Sequence, residues 1–148
     1  MPQAPPPGLN SSNWPIAHLP GLGPEDCQNL QALGIQSTFD LLRTTQSRAH
    51  QTHLAQKLHL HLHHIQKWIA LADLARVPAV GLDGCGLLLH AGVSSVARLA
   101  ELSPGLLHKQ VLKLQVTTYQ TPDRAPTAGE LSGWINQAKQ LPKLPIAR

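Results

Sequence analysis

The segment KLHLHLHH, residues 57–64, places four histidines within six positions, alternating with leucines. Imidazole nitrogens bind Zn²⁺ and titrate near neutral pH, so the segment suggests a metal site or a pH-sensitive patch. His59 and His63 have i, i+4 spacing, but no carboxylate lies in the cluster to complete a ligand set. A β-strand with one imidazole face is a third interpretation, and it would need a partner strand that is not evident.

Residues for catalysis are not evident elsewhere. The eight carboxylates form no dyad with a histidine, and the sequence has no GxxxxGK[ST], nucleophile elbow or HExxH motif. Asp40 with Arg43, and Asp73 with Arg76, have the i, i+3 spacing of ordinary surface ion pairs. The sequence therefore predicts a protein that is not an enzyme, with no metal, no cofactor and no small-molecule substrate.

Composition limits the partners. The 148 residues include 12 Lys and Arg against 8 Asp and Glu, and the resulting charge of +4 permits nucleic-acid binding without requiring it. Leu and Ala supply most of the apolar content and aromatic residues are 3% of the chain, which favours packed helices. We find no apolar stretch of the roughly 18 residues that a membrane span needs and no secretory signal, so we expect a cytoplasmic location.

A repeated segment organises the middle of the chain. LPGLGPEDCQNLQALGIQSTFDLL at 19–42 aligns without a gap with VPAVGLDGCGLLLHAGVSSVARLA at 77–100. The Pro, Gly and Cys positions match, which indicates an internal duplication. The predicted divisions are an extended Pro-rich tail at 1–13, a first unit at 14–76, a second unit at 77–141 and a C-terminal tail at 142–148.

Each unit has the pattern of helices joined by tight turns. Pro-Gly-Leu-Gly allows the positive φ that a tight turn needs, and apolar residues recur at helical spacing after it. Gly34 and Gly92 suit the position just after a helix end. Ser37 with Asp40 predicts a capping box for the next helix, and Thr127 with Glu130 predicts one for the last helix.

Four further residues are predicted to pack in the core. Cys27 and Cys85 occupy the small-residue position of their repeats, where a free thiol behaves as a compact apolar side chain. We therefore predict no disulfide between them. Trp68 and Trp134, in KWI and GWI, are expected at the inner faces of late helices.

LPGLG at 19–23, followed by a small residue four positions later, resembles the helix-hairpin-helix motif h-P-G-h-G-x-x-x-A-x-x-h. The second unit departs from it, because Ala79 replaces the first glycine. KWIALADLARV, HAGVSSVARLAELSPGLLHKQV and SGWINQAKQL extend the resemblance over 16–141, to a tandem helix-hairpin-helix family of unassigned function that is common in cyanobacteria. The resemblance implies an all-α fold of two helix-hairpin-helix repeats packed as one compact helical body.

The resemblance also bears on the histidines. Leu-Gly-Ile is common in that family where this chain has Leu58, His59 and Leu60. We expect a helix over about 47–58, a turn at 59–61 and a second helix from about 62 to 76. His59 would replace a glycine just past the helix end, and His61 would lie near the next N-cap. A solvated polar turn is then favoured over a metal site, since the turn separates His59 from His63.

Two functions remain open. In nucleic-acid-binding relatives, the hairpin amides and the following helix N-terminus hold phosphate. Here Glu25, Asp26 and Asp83 follow the hairpins, and carboxylates there repel phosphate. The candidate residues for contact with phosphate or a partner are Pro20, Gly21, Leu22, Gly23, Pro78, Ala79, Val80 and Gly81. A modest basic patch is expected on a predicted helix over 104–115, formed by His108, Lys109 and Lys113.

Docking on a protein assembly is the favoured function. The segment MPQAPPPGLNSSNWPI has the composition of a polyproline-like strap, and Trp14 with Pro15 is the candidate anchor for a partner. The helix-hairpin-helix fold also serves in an extrinsic subunit of cyanobacterial photosystem II, an analogy of fold that implies an accessory or adaptor subunit, for instance in a photosynthetic assembly. Sequence-independent binding of DNA or RNA through the hairpins is the alternative.

Overall fold

The computed structural model describes residues 11–114 and 126–141. A 3₁₀ turn, Ile16–His18, precedes the α-helices of these ranges, which are α1 Pro24–Ala32, α2 Thr38–Thr44, α3 Arg48–Leu58, α4 Leu62–Ala75, α5 Gly81–His90, α6 Val96–Glu101, α7 Pro104–Leu114 and α8 Ala128–Gln140. Over the same ranges there is no β-strand, only an isolated bridge between Pro15 and Ser37. The predicted all-α class is confirmed for this part of the chain. The predicted tails lie outside it, except for residues 11–13 of the first.

The two copies of the repeated segment form the same elements. The first copy contains α1 and α2, and the second contains α5 and α6 at matching positions. Ser37 and Ser95 are the N-caps of α2 and α6, and each hydroxyl accepts a hydrogen bond from the amide three residues on, at 3.1 and 3.0 Å. The copies differ upstream, because a single 3₁₀ turn precedes the first and the 14-residue α4 precedes the second.

Three helices end in the same left-handed turn. Gly34 after α1 and Gly92 after α5 have φ of +88° and +96°, as their positions in the sequence predicted. His59 takes the same position after α3 with φ of +57°, and it is the one non-glycine residue with positive φ in the described ranges. Each turn is closed by a backbone bond to the carbonyl five residues earlier, such as that from the amide of Leu60 to Ala55 at 2.9 Å. The histidine segment is therefore a helix end, a turn and a helix start, as expected.

The predicted caps form in full at one helix and in part at another. Thr127 and Glu130 make a complete capping box at α8. At α2, the hydroxyl of Ser37 caps the helix, but the carboxylate of Asp40 accepts from the amide of Gln36 at 3.0 Å and from Arg43 at 2.7 Å. Partial burial would raise the pKa of Asp40, yet these bonds, the charge of Arg43 and the Ser37 hydroxyl together lower it.

One hydrophobic core joins both copies of the repeat. Helices α4 and α5 pack together, as do α6 and α8, so elements distant in sequence share that core. Cys27, Cys85, Trp68 and Trp134 are all buried, and both thiols are free. Burial raises the pKa of the Cys85 thiol to about 11, so the thiol stays protonated and packs as an apolar group.

The second Asp–Arg pair was wrongly predicted to lie on the surface. Asp73 and Arg76 are 5% and 3% exposed, and the Arg76 Nε donates to Asp73 Oδ1 at 2.6 Å. Asp73 Oδ2 also accepts from the amide of Val96, the first residue of α6, at 2.8 Å. The i, i+3 spacing was interpreted correctly, but it does not reveal that α6 covers this end of α4. Asp73 therefore ties α4 to the start of α6.

The segment before the first turn is bonded to the helical body. Arg76 Nη1 donates to the hydroxyl of Ser11 at 3.2 Å, and the amide of Ser12 donates to the carbonyl of Arg76 at 2.8 Å. Asn13 Oδ1 accepts from the amide of Phe39 in α2 at 3.0 Å. Residues 11–13 are thus held between the C-terminus of α4 and the N-terminus of α2.

Candidate functional site

The two predicted contact segments differ in backbone conformation. We call residues 20–23 the first hairpin and residues 78–81 the second hairpin. In the first, Gly21 carries the positive φ, at +81°. In the second, the equivalent residue is Ala79, and the positive φ moves to Gly81, at +56°. A Cβ disfavours the left-handed region, which explains why the turn is built differently where alanine replaces glycine.

The first hairpin lies between the 3₁₀ turn and α1. Its Gly21 is exposed, and Pro20, Leu22 and Gly23 are half-buried. Gly23 is the N-cap of α1 and offers no side-chain cap, while Glu25 lies in the first turn of that helix with Asp26 beside it. The helix dipole there favours negative charge, and these two carboxylates already provide it.

The second hairpin joins α4 to α5 and is partly covered by α8. Pro78 and Ala79 are exposed, whereas Val80 and Gly81 are buried. The amide of Ala79 donates to Gln137 Oε1 of α8 at 2.8 Å. This hairpin amide is therefore already bonded within the chain. The sequence had no local signal for this contact, because Gln137 lies in another helix far along the chain.

A cleft with a volume of about 560 Å³ opens at the second hairpin. Among the described residues it is lined by 78–84 and by Leu87, Pro126, Glu130, Trp14 and Trp134. All four residues predicted for the second hairpin line it, and so does the predicted anchor Trp14. Pro15 is exposed next to Trp14 and does not line the cleft.

Trp14 forms one wall of the cleft. Its indole Nε1 donates to the carbonyl of Ala75 at the end of α4, at 2.7 Å. Its backbone carbonyl accepts from the amide of Thr38, the first residue of α2, at 2.8 Å. The six-membered ring lies close to Gly81, where a Cβ would meet Cζ2 at 3.5 Å. The indole is thus fixed by its own chain, and it is only half-buried.

Trp134 of α8 forms a second wall. A Cβ at Gly84 would approach the ring carbon Cη2 of Trp134 to 3.1 Å, and Cγ1 of Val80 to the same distance. Glycine at this position of α5 therefore lets the indole pack directly against the helix backbone. Trp134 was predicted only as a core residue, and its place in the cleft was missed. The signal that could have found it is Gly84, one of three glycines in the α5 sequence GLDGCGLLLH, since glycine inside a helix costs stability.

The cleft carries negative charge. Asp83, in the first turn of α5, and Glu130, in the first turn of α8, are exposed carboxylates among its lining residues. No Lys, Arg or His belongs to the lining within the ranges that the structure describes. The chain as a whole has a formal charge of +4, so the cleft differs in sign from the rest of the molecule.

The predicted basic patch lies elsewhere. Lys109 and Lys113 are exposed and His108 is half-buried on α7, which packs against α8 and α5. None of the three lines the cleft. Leu106 and Leu112 on the same helix are 48% and 40% exposed, so this surface is apolar as well as basic. The structure brings the second hairpin and Trp14 together and leaves the basic residues apart from them.

The histidines form a solvent-facing cluster. The ring centroids of His61 and His63 are 5.0 Å apart, and those of His63 and His64 are 4.2 Å apart. Local desolvation, followed by the charges of His64, His61 and Lys67, lowers the pKa of His63. Over 11–114 and 126–141, no three His, Cys, Asp or Glu side chains are grouped to hold a metal ion.

The fold and the cleft define a small helical domain with an aromatic, acidic groove at an interhelical turn. Residues 20–141 match the family model DUF4332, a domain of unknown function, and the chain belongs to this family. No curated protein and no solved structure matches the chain. In the part of the chain that the structure describes, we find no helix with the length and hydropathy for crossing a bilayer.

Proposed function

We propose that this protein is a non-catalytic binding module of the tandem helix-hairpin-helix type. It acts as a small accessory or adaptor subunit, and it docks on a larger protein assembly through the cleft at the second hairpin. A photosynthetic assembly in a cyanobacterium is one such partner, by analogy of fold alone. The proposal places the protein in the cytoplasm.

The composition of the cleft carries the proposal. Tryptophan is enriched among the residues that contribute most to protein–protein affinity, and here two tryptophans line one groove, Trp14 half-buried and Trp134 9% exposed. Trp14 is fixed by its bonds to Ala75 and Thr38, so little conformational entropy is lost when a partner packs on it. A groove of about 560 Å³ is also within the roughly 300–1,000 Å³ range of sites that enclose a ligand or an anchoring side chain.

Photo-crosslinking in cells that naturally make the protein tests this proposal. A benzoylphenylalanine at Ala79 stands at the mouth of the cleft, and its backbone amide still donates to Gln137. The matched control is the same residue at Gln28, which is exposed on α1 and does not line the cleft. We expect a discrete protein adduct from position 79 and none from position 28. Absence of any adduct, or an adduct that nuclease removes, would refute docking through the cleft.

The second candidate is sequence-independent binding of DNA or RNA through the first hairpin. Its support is the exposed Gly21, which leaves that turn accessible, together with the net positive charge. Glu25 and Asp26 directly after the turn oppose it. A titration of labelled duplex DNA at about 50 and about 200 mM salt separates the candidates, since a multi-phosphate binder loses on the order of 10³-fold in affinity over that range. We expect no binding at either salt concentration.

A further inference from the structure

The charge of the cleft selects its partner. Asp83 and Glu130 are its only charged lining residues within the described ranges, and both are carboxylates. No ion pair joins either of them to a cation in that part of the chain. A phosphate or an acidic peptide would meet repulsion here, whereas a basic side chain would gain two nearby opposite charges.

The aromatic walls favour the same kind of partner. The six-membered rings of Trp14 and Trp134 approach the backbone at Gly81 and Gly84, and both side chains line the cleft, Trp14 half-buried and Trp134 9% exposed. The face of an indole is electron-rich and attracts Lys or Arg, with the planar guanidinium of Arg able to stack on it. Val80, Leu82 and Leu87 supply apolar lining for the flanking residues of a bound segment.

We infer that the cleft binds a protein segment carrying a basic side chain flanked by apolar residues, with its cation held between the two indoles and the carboxylates of Asp83 and Glu130. This inference rests on the proposed docking function and names the chemistry of the partner. Arginine fits better than lysine, because its guanidinium can stack on an indole and donate to a carboxylate at the same time.

Two capped peptides test the inference, Ala-Leu-Arg-Leu-Ala and the matched Ala-Leu-Glu-Leu-Ala. The chain has three tryptophans, so the indole Nε1–H signals of Trp14 and Trp134 can be assigned by NMR. Titration of the full chain should shift both signals with the arginine peptide, with a Kd on the order of 1 mM, as expected for one short anchor. The glutamate peptide should leave both signals unmoved.

A charge-neutral variant provides the second arm. Asp83→Asn with Glu130→Gln removes both charges, and Gln at position 130 can still complete the capping box with Thr127. This double variant should bind the arginine peptide about tenfold more weakly. The matched control, Glu25→Gln with Asp26→Asn, removes the same charge at the start of α1 and should bind like the unmodified protein.

The outcomes separate this inference from the proposed function. The inference of a basic partner would be refuted by any of three results. These are equal shifts of the indole signals with both peptides, no shifts up to about 10 mM peptide, or equal weakening of arginine-peptide binding in the two double variants. If the peptides fail but the crosslink from position 79 forms, docking stands and the partner has different chemistry. If the crosslink also fails, the proposed function falls with it.

Discussion

The buried Asp73–Arg76 pair allows a sharp test of how the helices are held together. Asp73→Asn keeps the shape of the side chain and removes its charge, which breaks the ion pair with Arg76, whose side chain is 3% exposed. Removing one partner of a buried ion pair costs about 3–5 kcal/mol. The asparagine oxygen can still accept a hydrogen bond from Arg76 or from the amide of Val96. We therefore expect the free energy of unfolding to fall by the lower value, about 3 kcal/mol.

Asp40→Asn is the matched control. Asp40 and Arg43 have the same i, i+3 spacing, but their side chains are 28% and 39% exposed. An exposed pair contributes about 0.2–1 kcal/mol, and the asparagine can still accept from the amide of Gln36. The two variants therefore differ in burial rather than in spacing or in the substitution made.

For both variants, thermal unfolding monitored by circular dichroism gives Tm, and urea titration gives the free energy of unfolding. At about 2–4 °C per kcal/mol for a chain of this size, Asp73→Asn should lower Tm by about 6–12 °C and Asp40→Asn by about 4 °C or less. Equal losses in the two variants would refute the conclusion that Asp73 ties α4 to α6. The m-values should be unchanged, so that the difference reports stability alone.

Three further predictions concern single positions. Gly86→Ala, in open space on α5, should stabilise the fold by about 0.5–1 kcal/mol, whereas Gly84→Ala should destabilise it by up to about 2 kcal/mol because the new Cβ meets the indole of Trp134. If urea titration gave the two variants the same increase in the free energy of unfolding, the packing of Trp134 on Gly84 would be contradicted. His59→Gly should stabilise by about 0.5–1 kcal/mol by relieving the left-handed backbone, and His59→Ala should not. The pKa of His63 measured by NMR should lie below 6.5. Protonation of His63 then favours the unfolded chain, so the stability of the fold decreases as the pH drops through about 6.5. His64→Gln should raise the pKa of His63, and an unchanged pKa would show that the charge of His64 does not contribute to lowering it.

Local signals in the sequence predicted local structure well. The C′ glycines Gly34 and Gly92, the N-cap Ser37 and the capping box at Thr127 each follow from residues within a few positions, because helix ends are set by nearby backbone groups. The turn at His59 was also predicted, but that prediction relied on the resemblance to a family in which glycine is common at this position.

Features that depend on distant segments were missed. The burial of the Asp73–Arg76 pair involves the N-terminus of α6, which contacts Asp73, and the segment at Ser11, which contacts Arg76, and neither contact is revealed by α4 itself. The cleft brings together Trp14 and Trp134 from opposite ends of the described chain. Residue spacing shows which residues share a helix face, but it does not show what packs on that face.

The most direct test of the central claim is the size of the native complex that contains this 16.0 kDa chain, measured by size-exclusion chromatography of an extract from its own cells. Asp83→Trp places a bulky side chain in the cleft, and Glu25→Trp, at the equivalent exposed position of α1, is the control. The account predicts that the unmodified protein and the Glu25 variant elute with a large assembly, while the Asp83 variant elutes near the size of the free chain. Elution of the Asp83 variant with the assembly, or of the unmodified protein as a free chain, would contradict docking through the cleft.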